Sequence, residues 1–275
     1  MRRAISGAIY ALSGATGVLA FAYPFFMDAR SGRSIGLAHG QDAPLVTAIL
    51  VGLSLIALLV ELQGQTISAK TVAMLGVLVA TTSVLRFVEV AIPMPGGFSP
   101  IFAPIILSGY VFGGRFGFLM GVFTLLVSGL ITGGVGPWLP YQMFTAGWIG
   151  LTAGWMRKIP TPGSRRLNGP AKFGRWDLGL MSAFAFAWGL LYGVIINVYF
   201  WPFAAGLDGQ TWAPGIGLHE TLARYAAFYV ATSLWWDVIR AVGNLMLILL
   251  LGAPTVRTLT RFQLRFHFKV YSTDA

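Results

Sequence analysis

The chain has 275 residues, of which 56% are hydrophobic and only 10% charged, and its mean hydropathy is +0.73. Soluble domains carry about a quarter charged residues, so this composition points away from them and toward a multi-pass membrane protein. Cysteine is absent, which excludes disulfides and thiolate metal sites. The net charge of +10 is large enough to suggest nucleic acid, but its distribution along the chain reads as membrane topology instead.

The opening stretch, "MRRAISGAIYALSGATGVLAFAYPFFM", has the basic-then-apolar form of a signal peptide. Its apolar run of about 23 residues exceeds a signal's short apolar region, so a retained helix is expected. A bilayer core needs about 20 mostly apolar residues. Apolar runs and their Gly/Pro breakers then give eight helices, over 5–27, 44–62, 67–86, 98–113, 116–132, 139–156, 178–203 and 223–252. Between the sixth and seventh, "RKIPTPGSRRLNGPAKFGRWD" holds Arg157, Lys158, Arg165, Arg166, Lys172 and Arg175 against Asp177. The end of the chain adds Arg257, Arg261, Arg265 and Lys269. The alternate connections, 87–97, 133–138 and 204–222, carry Glu89, Asp208 and Glu220 and no Lys or Arg. Lys and Arg accumulate on the cytoplasmic side, so both termini are expected there, and no nucleic acid partner is expected. Arg30 and Arg33 alone go against this threading.

Three outer segments, "FVEVAIPMPGGFSP", "GGVGPWLPYQM" and "YFWPFAAGLDGQTWAPGIGLHE", are rich in Gly, Pro and aromatic residues. Tight turns and aromatic walls suit a cap over a cavity. An aromatic belt at the lipid interface has the same composition, and for Trp138 and Trp201 both uses stay open.

Within the last span, Ser233, Asp237, Arg240 and Asn244 recur at helical spacing on one stripe. A charge at that depth costs several kcal/mol unless paired or wetted, and Asp237 and Arg240, three residues apart, can partly neutralise each other. A structural ion pair and the lining of a polar cavity are both consistent with the stripe, and Asn197 can add to it. His39, His219 and His267 are scattered, and no Walker phosphate loop or Gly-x-Ser-x-Gly elbow occurs. No catalytic group, metal site, cofactor or built-in energy source is therefore expected. Ala69, Ala73, Gly76 and Ala80 form a strip of small residues, which lets helices approach closely in lipid. Packing within the chain and docking of another subunit are both open uses. Gly147, Gly150 and Gly154 repeat the habit.

From about residue 67, the order of a small-residue helix, "IPMPGGFSPIFAPIILSGYVFGGRFGFLMG", "GGVGPWLPYQMFTAGWIGLTAG", a basic inner loop and two closing helices resembles the substrate-binding S components of energy-coupling factor (ECF) vitamin transporters. The resemblance implies an all-α integral membrane fold, with a six-helix core over 67–256. A two-helix extension over 1–66 would precede it, and a basic cytoplasmic tail over 257–275 would follow. It implies that two outer loops close over a vitamin: one contains Pro93, Pro95, Gly96 and Gly97, the other Gly133, Gly134, Gly136 and Pro137. Trp138, Gln142 and Met143 would then serve as wall and polar anchor. Asn197, Trp201, Asp237, Arg240 and Asn244 are further candidate contacts from the residues themselves, and Asp237 and Arg240 have no place in the general family pattern. Ala69, Ala73, Gly76 and Ala80 would dock on a membrane coupling subunit driven by two ATPase subunits. The closing region resembles a bacterial branch assigned to cobalamin or corrinoid uptake, and flat vitamins such as riboflavin suit the same lining. Outside this resemblance stand an ion-coupled secondary transporter using Asp237 and a membrane-embedded interaction protein.

Overall fold

A computed structural model describes residues 2–22, 25, isolated positions between 45 and 56, and 69–92, 98–162, 173–204, 209–213 and 215–265. Among these the protein is all helix. The helices are α1 (Arg2–Ala22), α2 (Ala69–Ala91), α3 (Phe102–Phe112), α4 (Gly114–Thr132), α5 (Leu139–Met156), α6 (Arg175–Phe200), α7 (Leu218–Thr232) and α8 (Leu234–Arg265). Four segments, 69–91, 114–132, 175–203 and 234–264, are long and apolar enough to cross a membrane. The expected span 44–62 lies largely outside the described residues, as do Pro93, Pro95, Gly96 and Gly97.

The bundle is built around the antiparallel pair α4 and α5, its most extensive helix contact. Glycine makes the pair possible. A Cβ on Gly117 or Gly150 would run into the backbone of the other, and one on Gly121 would strike the Ala146 carbonyl. Lipid gives little hydrophobic drive for helices to associate, so close backbone approach and dispersion must hold them. Gly147, Gly150 and Gly154 are thus an internal seam. The strip Ala69, Ala73, Gly76 and Ala80 is not: all four are exposed on α2, and a Cβ on Gly76 would meet nothing. The α2 helix packs on α4 by its other face, through buried Leu75 and Val79.

Four expected boundaries move. The span 98–113 shrinks to an 11-residue helix, about 17 Å long at 1.5 Å per residue, too short to cross on its own. It ends at Gly113, where φ 98° and ψ 163° require glycine, and α4 begins at once. The first core helix runs past 86 through Glu89, since no breaker occurs before Pro93. The last span divides at Ser233 (φ −129°), which separates α7 from α8. Beyond it, α8 continues through Pro254 to Arg265, 32 residues in all, so Arg257, Arg261 and Arg265 stand on helix.

The N-terminal helix is part of the bundle. It packs against α5 and α6, with the Tyr10 ring edge-on to Phe118 at 5.5 Å and Phe21 edge-on to Tyr141 at 4.9 Å. At the opposite end of α6 from its Trp201 terminus, buried Asp177 accepts from the Gly174 amide at 2.8 Å and the Thr161 hydroxyl at 2.7 Å. An acid in the first turn satisfies an orphan amide and complements the helix dipole.

Candidate functional site

The segments 98–101, 133–138, 201–204 and 209–213 share one end of the bundle, called the upper end below. Because α3 is short, the residues before it enter the bundle without helical hydrogen bonds. Ser99 is 5% exposed and Ile101 is fully buried. Irregular backbone at such depth persists in a membrane protein only where protein groups satisfy it. Asn244 does so: its amide donates to the Ser99 carbonyl at 3.3 Å and to the Arg240 carbonyl at 2.9 Å. The Ser99 hydroxyl donates to Glu89 at 2.7 Å, and the Phe98 ring fills the space a side chain at Gly243 would need. The exit of the 93–97 segment is thereby fastened to both α2 and α8.

Beside this anchor, nearer the start of α8, lies a cluster of charge. Asp237 and Arg240 form an ion pair one turn into α8, where the helix N-terminus also favours the carboxylate. Arg240 stacks over the Tyr192 ring, 5.2 Å from its centroid. The guanidiniums of Arg86 and Arg240 both attract Glu89, and Tyr192 lies within the field of all four charges. Two acids and two bases thus sit in matching i, i+3 pairs on α2 and α8. The Asp237 carboxylate lies directly against Gly193 of α6, where a Cβ would overlap it. Glycine is needed there because a carboxylate, not a side chain, occupies the interhelical gap.

The cluster retains unmet hydrogen-bonding capacity. Asp237 is 1% exposed and Asn244 fully buried, and among the described residues Asn244 Oδ1 has no donor and Asp237 Oδ2 has none beyond the neighbouring Tyr229. The Tyr229 hydroxyl faces the same carboxylate and is its nearest source of a further hydrogen bond. Such groups each cost about 1–3 kcal/mol when left unmet in a buried site. Nearby, the Asn197 amide donates to the Ser233 hydroxyl at 2.6 Å, bridging α6 to the α7–α8 break.

Aromatic rings close the upper end. Trp201 is 2% exposed, donates its indole N–H to the Gln210 carbonyl at 2.8 Å, and meets the Tyr225 ring edge-on at 5.0 Å. The Tyr225 hydroxyl donates to the Val194 carbonyl. Tyr141 and Tyr199 stack at 4.4 Å with their planes 14° apart.

The expected residues divide into groups. Asp237, Arg240 and Asn244 share one face of α8, and Asn197 joins it through Ser233. Trp201 lies in the aromatic layer, so its role is burial in protein and not a lipid belt. Trp138 turns back on its own loop: its indole donates to the Gly134 carbonyl at 3.1 Å, its ring covers Gly136, and it stays 42% exposed. Gly133 caps α4 in the left-handed region at φ 67°, and Pro137 precedes the α5 cap. Gln142 is half-buried and Met143 fully buried among core side chains. Glu89, Ser99, Tyr192, Gly193, Tyr229 and the Tyr141–Tyr199 pair were not expected from the sequence. Glu89 carried a visible signal, a lone acid in an apolar run; the others did not differ from ordinary membrane-helix composition. Among the described residues no group of three or more His, Asp or Glu could hold a metal ion.

Compared with known proteins, residues 66–260, more than two thirds of the chain, match the profile of the ECF-type riboflavin transporter S component. The chain belongs to this family. It is an S component of the ECF type, a class of transporter subunit, and a multi-pass membrane protein. No curated protein and no solved structure matches it. In this S component the matched segment takes in the charge cluster, the aromatic layer and the exposed strip on α2. It begins after α1, so the helix carrying Tyr10 and Phe21 lies outside the match.

Proposed function

We propose that this S component captures a flat, polar-edged vitamin of the riboflavin class at its upper end for ATP-driven import. The observation that carries the reading is the spare acceptor capacity of the buried Asp237 carboxylate and Asn244 amide, set beside Arg240 under a layer of stacked rings. A heterocycle bearing both N–H and carbonyl groups offers donors to Asp237 Oδ2 and Asn244 Oδ1 and an acceptor to Arg240. Rings supply the apolar walls that ligand pockets use around a few fixed polar groups. The site is enclosed by the described residues, so entry requires the 98–101 and 133–138 segments to part from it. The family description names riboflavin; the expectation of cobalamin or a corrinoid gains no support from it. An ion-coupled mechanism would need Asp237 to bind and release a cation, and its ion pair with Arg240 works against that.

In this reading the upper end faces outward and both termini face the cytoplasm of a bacterial cell. The exposed strip of Ala69, Ala73, Gly76 and Ala80 docks on the membrane coupling subunit, and separate ATPase subunits supply energy. The test of cargo is titration of the purified chain with riboflavin, read by quenching of flavin fluorescence, with cobalamin and cobinamide in parallel. Saturable flavin binding supports the reading; binding of the corrinoids alone restores the other cargo, and binding of none overturns capture of either class. Docking is tested by Gly76→Leu. Flavin binding stays unchanged, while uptake with the coupling and ATPase subunits falls about tenfold or more, the effect of ~1.4 kcal/mol of lost docking energy. Loss of binding and uptake together would show the strip to be structural.

A further inference from the structure

We propose that α1, which lies outside the family match, forms a wall of the substrate compartment, with Phe21 holding the Tyr141 ring in place; the inference rests on the capture reading above. Tyr141 stands in the first turn of α5 beside Gln142, and Tyr199 lies between Asn197 and Trp201. Their stacked rings, 4.4 Å apart, therefore lie between two groups of candidate contact residues. A near-parallel pair of phenol rings is a ready surface for a planar heterocycle, which stacks in the same offset manner. One ring must stay fixed for the other to yield. Tyr199 is carried by α6 near its end, two residues before the 201–203 turn. Tyr141 is fixed from behind: Phe21 meets it edge-on at 4.9 Å, with planes 68° apart, and also leans on Trp148 at 5.8 Å.

Helix α1 is seated for this task. Gly17, one turn before Phe21, lies flush on α5, because a Cβ there would come within 2.7–2.9 Å of the Phe144 and Trp148 rings. Phe21 itself is 6% exposed. Beyond the helix, Phe25 reaches the Trp201 and Trp212 rings at 6.1 and 5.7 Å. The end of α1 thus touches the Tyr141–Tyr199 stack, and Phe25 just beyond it touches the aromatic layer around Trp201. Tyr10, which meets Phe118, lies eleven residues earlier, about 16 Å deeper along the same helix.

That separation supplies the test. Phe21→Ala removes two contacts of α1 with the bundle, to Tyr141 and Trp148, and Tyr10→Ala also removes two, to Phe118 and the Arg115 guanidinium, but only the first touches the stack. Riboflavin affinity of the full chain is measured by flavin fluorescence quenching, alongside the thermal unfolding midpoint in the same detergent. The expected result is that Phe21→Ala weakens flavin binding about fivefold or more, the scale of one lost aromatic pair, while Tyr10→Ala stays within about twofold. Phe21→Leu, which fills the space without a ring, falls on the weakened side and replaces the alanine variant if that one fails to fold. Equal affinities for all variants, or equal losses at both positions, would show that α1 only packs, and would overturn the inference while leaving capture intact. Failure of the unaltered chain to bind riboflavin would overturn the inference and the flavin reading together.

Discussion

Asp237→Ala lowers stability by about 3–5 kcal/mol, the cost of leaving one member of a buried ion pair alone. The Arg240 guanidinium would then keep its contact with Tyr192 and its attraction to Glu89 but lose its nearest anion. The Gly193 gap would also be left partly empty, since the carboxylate fills it. Thermal unfolding in detergent checks this, and a second variant separates charge from packing. Asp237→Leu combined with Arg240→Met removes both charges and returns most of the stability, because a buried pair contributes little net energy over apolar residues of similar size. Neither variant should recover flavin affinity if the pair also meets the ligand. Full affinity in the double variant would confine Asp237 and Arg240 to structure.

Gly150→Val destabilises by about 3 kcal/mol, at the upper end for overpacking, because its side chain would displace backbone and not a flexible neighbour. The obstacle is the Gly117 peptide of α4, and Gly109 of α3 and Gly154 lie in the same seam. The expected readout is a sharply reduced yield of folded protein and a lower unfolding midpoint. Gly76→Leu, an equally drastic change in volume, leaves the midpoint unchanged, because nothing lies within 4 Å of a Cβ there. A normal midpoint for Gly150→Val would mean that α4 and α5 can separate without loss, against the close approach described.

This contrast marks where sequence reading succeeds and where it stops. Small residues at three- or four-residue spacing suggest close backbone approach for "SAKTVAMLG" and "GWIGLTAGW" alike. They did not show against what: one strip meets a neighbour within the chain, the other faces outward. Hydropathy located the helices because a 20-residue apolar run matches the thickness of a bilayer core and is rare in soluble folds. It overestimated α3, since apolar loop and apolar helix have the same composition, and Ile101 is as buried as any helical residue. The Asp237–Arg240–Asn244 face was legible from spacing alone. Its partners were not: Glu89, Ser99 and Tyr192 come from other elements, and only folding shows which elements meet. Trp138 was legible as an unusual residue, but its bond to Gly134 is a local loop contact that composition cannot distinguish from a wall over a ligand.

The length of α8 has a consequence for motion in the bilayer. Its 32 residues span about 48 Å, against roughly 30 Å of hydrocarbon. In the proposed orientation the surplus emerges on the cytoplasmic face and lifts exposed Arg257 and Arg261 among the lipid headgroups. Each is held there by about 1 kcal/mol when the leaflet is anionic. Any tilt of the bundle that draws this end toward the hydrocarbon works against that hold. In that orientation the lipid composition of one leaflet would set the resistance to such a tilt, at the far end of the helix that carries Asp237.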